Sequence, residues 1–372
     1  KISSGHDVSS GGLITTLMEM CFPTLNIGMR LDLDDLEEED TSKIFFSEKI
    51  GLVIQSKFNI TSILKNENIK CTRIGSVLNK SILKVKNHSQ LLELKIPKYR
   101  KKWMEISSKM EQFQTKKELA HIRAENVVKQ PLKFKFPPDF SGIYPKKKKY
   151  TINAAVLREK GSNSEREMAF IIDMCGFKVR DVHMTDIIEG RENLHDINLL
   201  VAVGGFSNSD VLGSAKGWAG AFKYNSNAKK IISDFFNRHD TLTLGVCNGC
   251  QLFIELGMIN PDHKKKPKME FNNSGKFECI FSPVQIMESS SIMMKSLEGS
   301  LLGIWSAHGE GKFSFPYEEE KYEISGKYHY AKYPSNPNGS EFNTAMLCSK
   351  DGRHLVMMPH LERSTFPWNW AL

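Results

Sequence analysis

Cys247 is the residue of this sequence that is best placed for covalent chemistry. It follows the short apolar run 241–246 and precedes residues 248–253, so it stands at the turn between a predicted strand and a predicted helix. Gly245 and Gly249 leave the backbone room for a tight turn on both sides. The N-terminus of the following helix carries a partial positive charge, which favours the thiolate, the reactive form of the side chain. The turn therefore predicts a cysteine nucleophile.

Two other interpretations of Cys247 compete with this one. An isolated cysteine in an apolar segment is usually a small buried hydrophobic residue. Together with Cys250 it also forms a Cys-x-x-Cys pattern, which is typical of a redox pair or of half a metal site. The choice between these interpretations depends on other parts of the chain.

A cysteine nucleophile needs a base, and the base needs a group that orients it. His360 and Glu362 stand two residues apart just after the predicted strand 354–358. In extended backbone, the side chains of residues i and i+2 point to the same side. His360 can therefore face Cys247 while Glu362 binds the ring nitrogen of His360 that is far from Cys247. The order Cys, His, Glu along the chain is acceptable, because such triads are defined by geometry. A satisfied or surface histidine is the alternative interpretation of His360.

An acyl-transfer site also needs donors for an oxyanion. Gly204 and Gly205 follow the buried strand 199–203 directly, and glycine lets backbone N–H groups approach a ligand closely. The N–H of Asn248, the residue after the nucleophile, is the natural second donor. A plain turn would leave the same glycine pair, so this pattern alone is weak.

These residues need a parallel sheet to position them. Residues 149 to about 260 alternate predicted strands (152–157, 199–203, 241–246) with predicted helices, and Ser164 with Glu167 predicts a capping box at the start of one helix. Such alternation is typical of a doubly wound α/β sheet that binds ligands at the carboxyl ends of its strands. After residue 270 the sequence becomes rich in predicted strands.

The first 148 residues have a different character. Residues 1–95 predict a partial α/β unit, with a helix at 13–20 and strands at 51–55 and 74–78, too short a run to close a sheet. Because the sequence begins without Met in a motif-like stretch, we expect a piece of a longer protein. Residues 96–148 predict a connector, helical over 103–129 and then broken by prolines.

Composition restricts the class of protein. The 372 residues are 40% apolar and 25% charged, which is ordinary for a globular chain, and the net charge is +8. Lysines cluster at 146–149 and 264–266, where neighbouring prolines and polar residues indicate solvated loops and argue against a nucleic-acid surface. Seven cysteines without a dense framework suit a reducing compartment, and no apolar run approaches membrane-spanning length, so we expect a cytoplasmic protein without a membrane partner.

The residues 245–252, Gly-Val-Cys-Asn-Gly-Cys-Gln-Leu, resemble the nucleophile elbow of class I glutamine amidotransferases. More narrowly, the chain is similar to the large single-chain form of the phosphoribosylformylglycinamidine synthase family. The motifs that carry this resemblance lie at 158–168, 204–207, 210–219, 273–278, 305–311, 333–340, 351–354 and 359–363. They cover residues 149–372 almost throughout, and residues 6–13 resemble the end of that family's synthetase region.

The resemblance implies a function and a set of residues. Cys247 would be the nucleophile, with His360 and Glu362 completing the triad, and Gly205, Asn248 and Gln251 would form the oxyanion and substrate-binding set. Glutamine would be hydrolysed here, and ammonia would pass to the upstream synthetase region of the same enzyme. There ATP and Mg²⁺ would activate formylglycinamide ribonucleotide for conversion to formylglycinamidine ribonucleotide, a step of de novo purine biosynthesis. The ATP and magnesium sites would lie mostly upstream, so the resemblance implies no metal site in this chain and no cofactor for the glutaminase step.

Some positions depart from the family's usual residues. The family has Tyr where Asn208 stands, Pro where Leu361 stands and Asp where Ser10 stands, and it usually has Arg where Lys276 and Ile280 stand. Lysine lacks the planar fork of arginine, so a bidentate contact at 276 would weaken. The departures leave the triad intact, and affect the expected glutamine affinity and coupling.

The resemblance also bears on three remaining residues. It implies that Cys250 lies one turn into the helix as a packed structural residue, and that His308 and Glu310 lie near the glutamine entry or a domain contact. Two alternatives stay open. One is a catalytically idle, partner-binding fragment, because the sites that would use ammonia lie upstream. The other is a thiol oxidoreductase that uses Cys247 and Cys250.

Overall fold

The computed structural model describes residues 2–129, 132–143 and 152–370. The chain divides into two compact units, of which the first comprises Lys1–Phe113 and Lys117–Pro131 and the second Gln114–Lys116 and Leu132–Leu372. Within the described ranges, each helix is too short or too polar to cross a membrane. The domain boundaries expected at 95/96 and 148/149 stay a proposal.

The first unit combines two small sheets with five helices. Its elements are β1 (Ile2–Asp7), α1 (Gly12–Cys21), β2 (Gly28–Asp32), α2 (Thr41–Phe46), β3 (Leu52–Ser56), α3 (Thr61–Asn66), β4 (Gly75–Leu78), β5 (Ile82–Asn87), β6 (Gln90–Lys95), α4 (Ile96–Glu111) and α5 (Lys117–Asn126). Strands β1 and β3 pair antiparallel, and the order of the second sheet is β4-β2-β5-β6.

The expectation that this region is too short to close a sheet was wrong. Strands β2, β5 and β6 were missed, although Leu31, Leu83 and Val85 from two of them are almost fully buried against α1 residues such as Leu17. Strands β5 and β6 form a tight hairpin, which brings an extra strand into the sheet at the cost of a two-residue turn.

The helical prediction for 103–129 holds with a break. Helix α4 ends at Glu111 and α5 begins at Lys117, so residues 112–116 separate two helices. Residue-by-residue propensity is high on both sides and contains no signal for this short interruption. Pro137 and Pro138 lie in the described range 132–143, whereas Pro131, Pro145 and the lysines at 146–149 lie outside the described residues.

The second unit is built on a nine-stranded sheet. Its elements are β7 (Asn153–Arg158), α6 (Glu165–Met174), β8 (Lys178–His183), α7 (Met184–Ile188), β9 (Leu199–Ala202), α8 (Lys216–Tyr224), α9 (Ser226–Asn237), β10 (Leu242–Val246), α10 (Asn248–Glu255), β11 (Lys268–Glu270), β12 (Glu278–Ile286), β13 (Leu301–His308), β14 (Lys312–Ser314), β15 (Glu323–Tyr328), β16 (Thr344–Cys348) and β17 (His354–Met357). Strands β11 and β14 form a separate antiparallel pair.

The order of the large sheet confirms the predicted doubly wound architecture. It runs β13-β12-β15-β16-β17-β10-β9-β7-β8, and the strands from β17 to β8 are all parallel. Taken in chain order, these five parallel strands have the flavodoxin-like arrangement 2-1-3-4-5. The remaining four strands extend the sheet in antiparallel fashion from β17.

Burial explains why the central strands read as continuous apolar runs. Leu200, Val201 and Ala202 of β9 are fully buried, as are Leu355 and Val356 of β17, because helices cover both faces of the parallel part of the sheet. Parallel strands end at one edge, so the loops that follow β7, β9, β10 and β17 meet there. This edge carries the residues singled out from the sequence.

Candidate active site

Cys247 lies on a strained turn between β10 and α10. Its backbone has φ 52° and ψ −103°, an unfavourable combination for a residue with a side chain, and its N–H donates to the carbonyl of Met357 on the neighbouring strand at 2.8 Å. A Cβ added at Gly249 would stand 2.0 Å from the carbonyl oxygen of Ala202, so only glycine lets α10 approach β9 this closely. The turn thus holds the sulfur out from the sheet edge, as predicted, and Cys247 remains only 5% exposed.

His360 follows β17 and is anchored at both its backbone and its ring. Its N–H donates to the carbonyl of Trp305 on β13 at 2.6 Å, which ties the turn to the antiparallel part of the sheet. Its Nδ1 lies 2.6 Å from Oε1 of Glu362, whose side chain is fully buried. This bond fixes the ring orientation and leaves Nε2 as the nitrogen that can face a nucleophile.

The His360 ring and the Cys247 side chain lie close to each other, while the Cys247 thiol makes its hydrogen bond to the carbonyl of Ala307 at 3.6 Å. Both groups lie above Gly204, the residue that follows β9 by two positions. A Cβ added there would be 2.7 Å from Cε1 of His360 and 3.4 Å from Cβ of Cys247. The first of these distances is a clash, so the pair can approach only because position 204 lacks a side chain.

The charges in this group stabilise one another. Burial by itself lowers the pKa of His360, but the negative charges on Cys247 and Glu362 outweigh burial and raise that pKa well above its usual range. Burial raises the pKa of Glu362, and the bond from His360 reverses this and lowers the pKa below its usual value. A protonated His360 ring beside the ionised Glu362 carboxylate is therefore the favoured state, which suits an acid that can protonate a leaving group.

Cys247 and His360 line a cleft with about 450 Å³ of open space, whereas the Glu362 side chain is fully buried. Its lining includes the predicted residues Cys247, His360, Gly205 and Gln251. The other lining residues come from loops at the same sheet edge and from β12 and β13: Asn163, Phe206, Asp210, Ser214, Phe277, Ala307, His308, Gly309 and Arg363.

Two backbone donors lie beside the nucleophile. Gly205 has φ 117°, a conformation reserved for glycine, and an added Cβ would clash with the backbone of Ser162 and Asn163. Among the described residues, no hydrogen bond uses the N–H of Gly205 or of Asn248. Both groups are therefore free to receive an oxyanion, and this role stays a prediction.

Gln251 lies at the cleft but its amide is already engaged. Its Nε2 donates to the carbonyl of Glu310 at 2.7 Å, and its Oε1 accepts from Nδ2 of Asn248 at 2.9 Å. The side chain therefore links α10 to the loop after β13. A substrate-binding role for Gln251 stays a prediction.

Cys250 is poorly suited to act as a redox partner. It is fully buried in α10, and burial together with the nearby Cys247 raises its pKa well above the ordinary value. A protonated, inaccessible thiol neither attacks nor exchanges readily. Both cysteines are free thiols, so the geometry favours the packed, structural interpretation of Cys250.

His308 lines the cleft, and Glu310 stands two residues further along the chain; their expected place near the glutamine entry or a domain contact stays a prediction. Burial lowers the pKa of His308 to about 3, so its ring is neutral, and its Nε2 lies 3.1 Å from Nδ2 of Asn338. Glu310 accepts from the N–H of Ser214 at 3.3 Å. These bonds fasten the loop after β13 to the loop after β9 on one side and to residues 333–340 on the other.

Several lining residues were missed by the sequence analysis. Asn163, Asp210 and Arg363 lie on loops that follow β7, β9 and β17, where no periodicity marks them. Asn208, Ser209 and Asp210 adopt positive φ in succession, an unusual run for residues other than glycine. Asn208, which replaces the family's Tyr, is exposed and lies outside the cleft lining, while Leu361 stands between His360 and Glu362 in a 3₁₀ turn.

Comparisons with known proteins place this chain in a family. The family model described as the CobB/CobQ-like glutamine amidotransferase domain matches residues 151–372, and the model described as the AIR synthase related protein C-terminal domain matches residues 1–87. Phosphoribosylformylglycinamidine synthase of Dictyostelium discoideum is 36% identical over 421 residues, which cover 99% of this chain and 31% of that protein. The probable phosphoribosylformylglycinamidine synthase of Caenorhabditis elegans is 36% identical over 406 residues, covering 100% of this chain and 30% of that protein.

The chain thus spans about a third of the length of these curated relatives. Among solved structures, PurLQS from Thermotoga maritima is 23% identical with a TM-score of 0.48, and the match covers 59% of this chain and 92% of that one.

Proposed function

Because the chain belongs to the CobB/CobQ-like glutamine amidotransferase domain family over residues 151–372, we propose that it hydrolyses the side-chain amide of glutamine with Cys247, His360 and Glu362. The observation that carries the proposal is a line of three groups beside a cleft: the Cys247 and His360 side chains, which meet above Gly204, and the buried Glu362, which is bonded to Nδ1 of His360. This line has the three groups that nucleophilic acyl transfer needs: nucleophile, base and orienting acid.

The first half of the reaction forms a thioester. The Cys247 thiolate attacks the amide carbon, and the carbonyl oxygen becomes an oxyanion that the free N–H groups of Gly205 and Asn248 stabilise. His360 gives its Nε2 proton to the departing nitrogen, so ammonia leaves and a γ-glutamyl thioester remains on Cys247. Glu362 keeps Nδ1 protonated throughout and stabilises the ring when it is charged.

The second half releases glutamate. The neutral His360 ring removes a proton from water, and the resulting hydroxide attacks the thioester carbon. The tetrahedral intermediate collapses, the Cys247 thiolate leaves, and the imidazolium is restored beside it. Glutamine and water are thereby converted to glutamate and ammonia.

For the whole enzyme, we propose that this ammonia amidates formylglycinamide ribonucleotide to formylglycinamidine ribonucleotide in purine biosynthesis. The proposal is supported by the names of the two relatives, both phosphoribosylformylglycinamidine synthases, and by the match of residues 1–87 to the AIR synthase related C-terminal domain. The acceptor and the upstream synthetase region are thus the proposed partners, together with glutamine. We also propose a cytoplasmic location, which the free cysteines suit.

ATP and magnesium belong to the proposed synthetase step. In the described part of the chain, no group of three or more His, Cys, Asp or Glu side chains is arranged to hold a metal ion. We derive no step of the reaction through ATP or metal in this chain.

The test is covalent labelling of the 372-residue chain with an electrophilic glutamine analogue, mapped by peptide mass spectrometry with and without excess glutamine. We expect label on Cys247 alone, blocked by glutamine, and glutamate release in an unlabelled sample. Label that spreads over several cysteines, or that glutamine fails to block, would contradict the proposal and would favour an idle, partner-binding fragment.

A further inference from the structure

Two buried polar atoms near the candidate triad lack partners. Among the described residues, Oγ of Ser164 and Oε2 of Glu362 make no hydrogen bond of normal geometry. Both residues are buried, since Ser164 is only 1% exposed and Glu362 only 4%. A buried oxygen without a partner is costly, above all when it belongs to a carboxylate. Such atoms in a folded protein need an explanation.

The two atoms are neighbours. Ser164 begins helix α6, which packs against the 3₁₀ turn Leu361–Arg363 that contains Glu362. The residues next to them are joined directly, since Nη2 of Arg363 lies 3.3 Å from Oδ1 of Asn163. Burial raises the pKa of Glu362, whereas interaction with His360 and, in addition, with Ser164 lowers it.

The predicted capping box at Ser164 was wrong, and its failure is informative. Ser164 has φ 73°, in the left-handed region, and its hydroxyl makes no bond to the N–H groups of α6. Extended backbone is needed to aim an N-cap hydroxyl at the helix, and the left-handed conformation turns the side chain inward instead. Glycine would adopt this conformation with less strain, so the backbone alone gives no reason for a serine here.

We propose that the Ser164 hydroxyl donates to Oε2 of Glu362 and so fixes the carboxylate with Oε1 toward His360. Ser164 is then a positioning residue for the reaction proposed above, on which this inference rests. With one oxygen held by Nδ1 of His360 and the other by Ser164, the carboxylate has a single orientation in its buried site. Without Ser164 the carboxylate is free to rotate and loses a donor that stabilises its charge.

The experiment compares Ser164→Gly and Ser164→Ala with the unchanged chain. Ser164→Gly removes the hydroxyl and relieves the backbone strain, so we expect the melting temperature to be kept or raised. We expect kcat for glutamine to fall about tenfold, which corresponds to about 1.4 kcal/mol, while KM changes less than twofold. Ser164→Ala keeps the Cβ and should lose the same rate, which separates loss of the hydroxyl from a backbone effect.

A second readout does not depend on glutamine turnover. The rate of Cys247 alkylation by iodoacetamide, followed against pH, reports when the triad becomes ionised. Removing a donor from Glu362 raises the pKa of its carboxyl, so a higher pH is needed to ionise it. The acid limb of the profile should therefore move to higher pH in both Ser164 variants.

Asn68→Gly is the matched control, because Asn68 also has positive φ (59°) but belongs to the first unit, whereas the candidate triad belongs to the second. It should leave kcat and the alkylation profile unchanged. Ser164 variants with unchanged kcat and an unmoved acid limb would overturn the inference. An unchanged chain that releases no glutamate would overturn the proposed function instead, and the alkylation profile would still decide the role of Ser164.

Discussion

Nδ1 of His360 lies 2.6 Å from Oε1 of Glu362, and neither side chain is more than 2% exposed. Only Leu361 separates the two residues in the chain, so the hydrogen bond joins side chains on either side of Leu361. Because the pair is shielded from water, the carboxylate can keep the ring oriented and stabilise its charge without competition from solvent.

Glu362→Gln should lower kcat for glutamine by about 10²–10⁴-fold with little change in KM. The amide has nearly the shape of the carboxylate but carries no charge, and it no longer favours the form of the His360 ring that has a proton on Nδ1. Steady-state glutamate release measures the effect. Glu255→Gln is the control, because Glu255 pairs with Lys223 at 2.8 Å on the surface and should be dispensable. Near-normal kcat in Glu362→Gln would remove this residue from the mechanism.

Replacing each cysteine of the Cys-x-x-Cys pattern separates hydrolysis from redox chemistry. Cys247→Ala should abolish glutamate release and labelling by the glutamine analogue. Cys250→Ala should keep both, at a stability cost of about 1 kcal/mol for the buried sulfur it removes. Thiol–disulfide exchange with a small disulfide is the parallel assay. Activity that needs Cys250 and survives replacement of His360 would support an oxidoreductase.

Gly204→Ala should reduce kcat at least about 100-fold, because its Cβ would stand 2.7 Å from Cε1 of His360 and push the ring away from Cys247. Thermal unfolding should change less than activity, since the clash is with a side chain at the cleft wall. Gly220→Ala is the matched control: it lies in α8, its Cβ would meet nothing nearer than Cδ2 of Tyr224 at 3.9 Å, and it should be fully active and stabilised by up to about 1 kcal/mol. Equal rates in the two variants would contradict the contact across Gly204.

Acidification from pH 7 to pH 5 should destabilise the fold. Burial lowers the pKa of His308 to about 3 and that of His354 to about 4, while the same rings in the unfolded chain titrate near their ordinary value of about 6.5. Between these values the unfolded chain binds protons that the folded chain does not, so stability falls as pH falls. Each ring should lower the free energy of unfolding by about 2 kcal/mol between pH 7 and pH 5.

Urea unfolding at both pH values measures that loss. In His354→Gln, the change in the free energy of unfolding between the two pH values should be smaller by roughly half of the effect of the two rings. His239→Gln, at an exposed position, should leave that change as it is in the unchanged chain. A dependence that is the same in His354→Gln and in the unchanged chain would mean that His354 is not held neutral in the fold.

Local sequence patterns were sufficient for the central part of the second unit. Strands β9 and β10 and the elbow at Cys247 were predicted because buried parallel strands are apolar on both faces and because glycines bracket the turn. The same reasoning missed β5 and β6 of the first unit, where β5 is buried on one face only and β6 is largely exposed. Patterns thus identify elements best where both faces of a strand are covered.

The capping box shows where local reasoning fails. Ser164, Glu165 and Glu167 have the residue types of a helix start, and α6 does begin at Glu165. The backbone conformation of Ser164, however, depends on its packing against the turn around Glu362, nearly 200 residues away, and no local signal carries that information.

The sequence by itself determined which residues have the chemistry: a cysteine on a glycine-bracketed elbow, and a histidine and a glutamate spaced to leave on one side. Those are properties of neighbouring residues. Only the tertiary structure decided that the ends of β9, β10 and β17 meet, that His360 crosses above Gly204 to reach Cys247, and that Ser164 stands beside Glu362. Such contacts join segments that are distant in the chain, and they arise because parallel strands bring their carboxyl ends to one edge of the sheet.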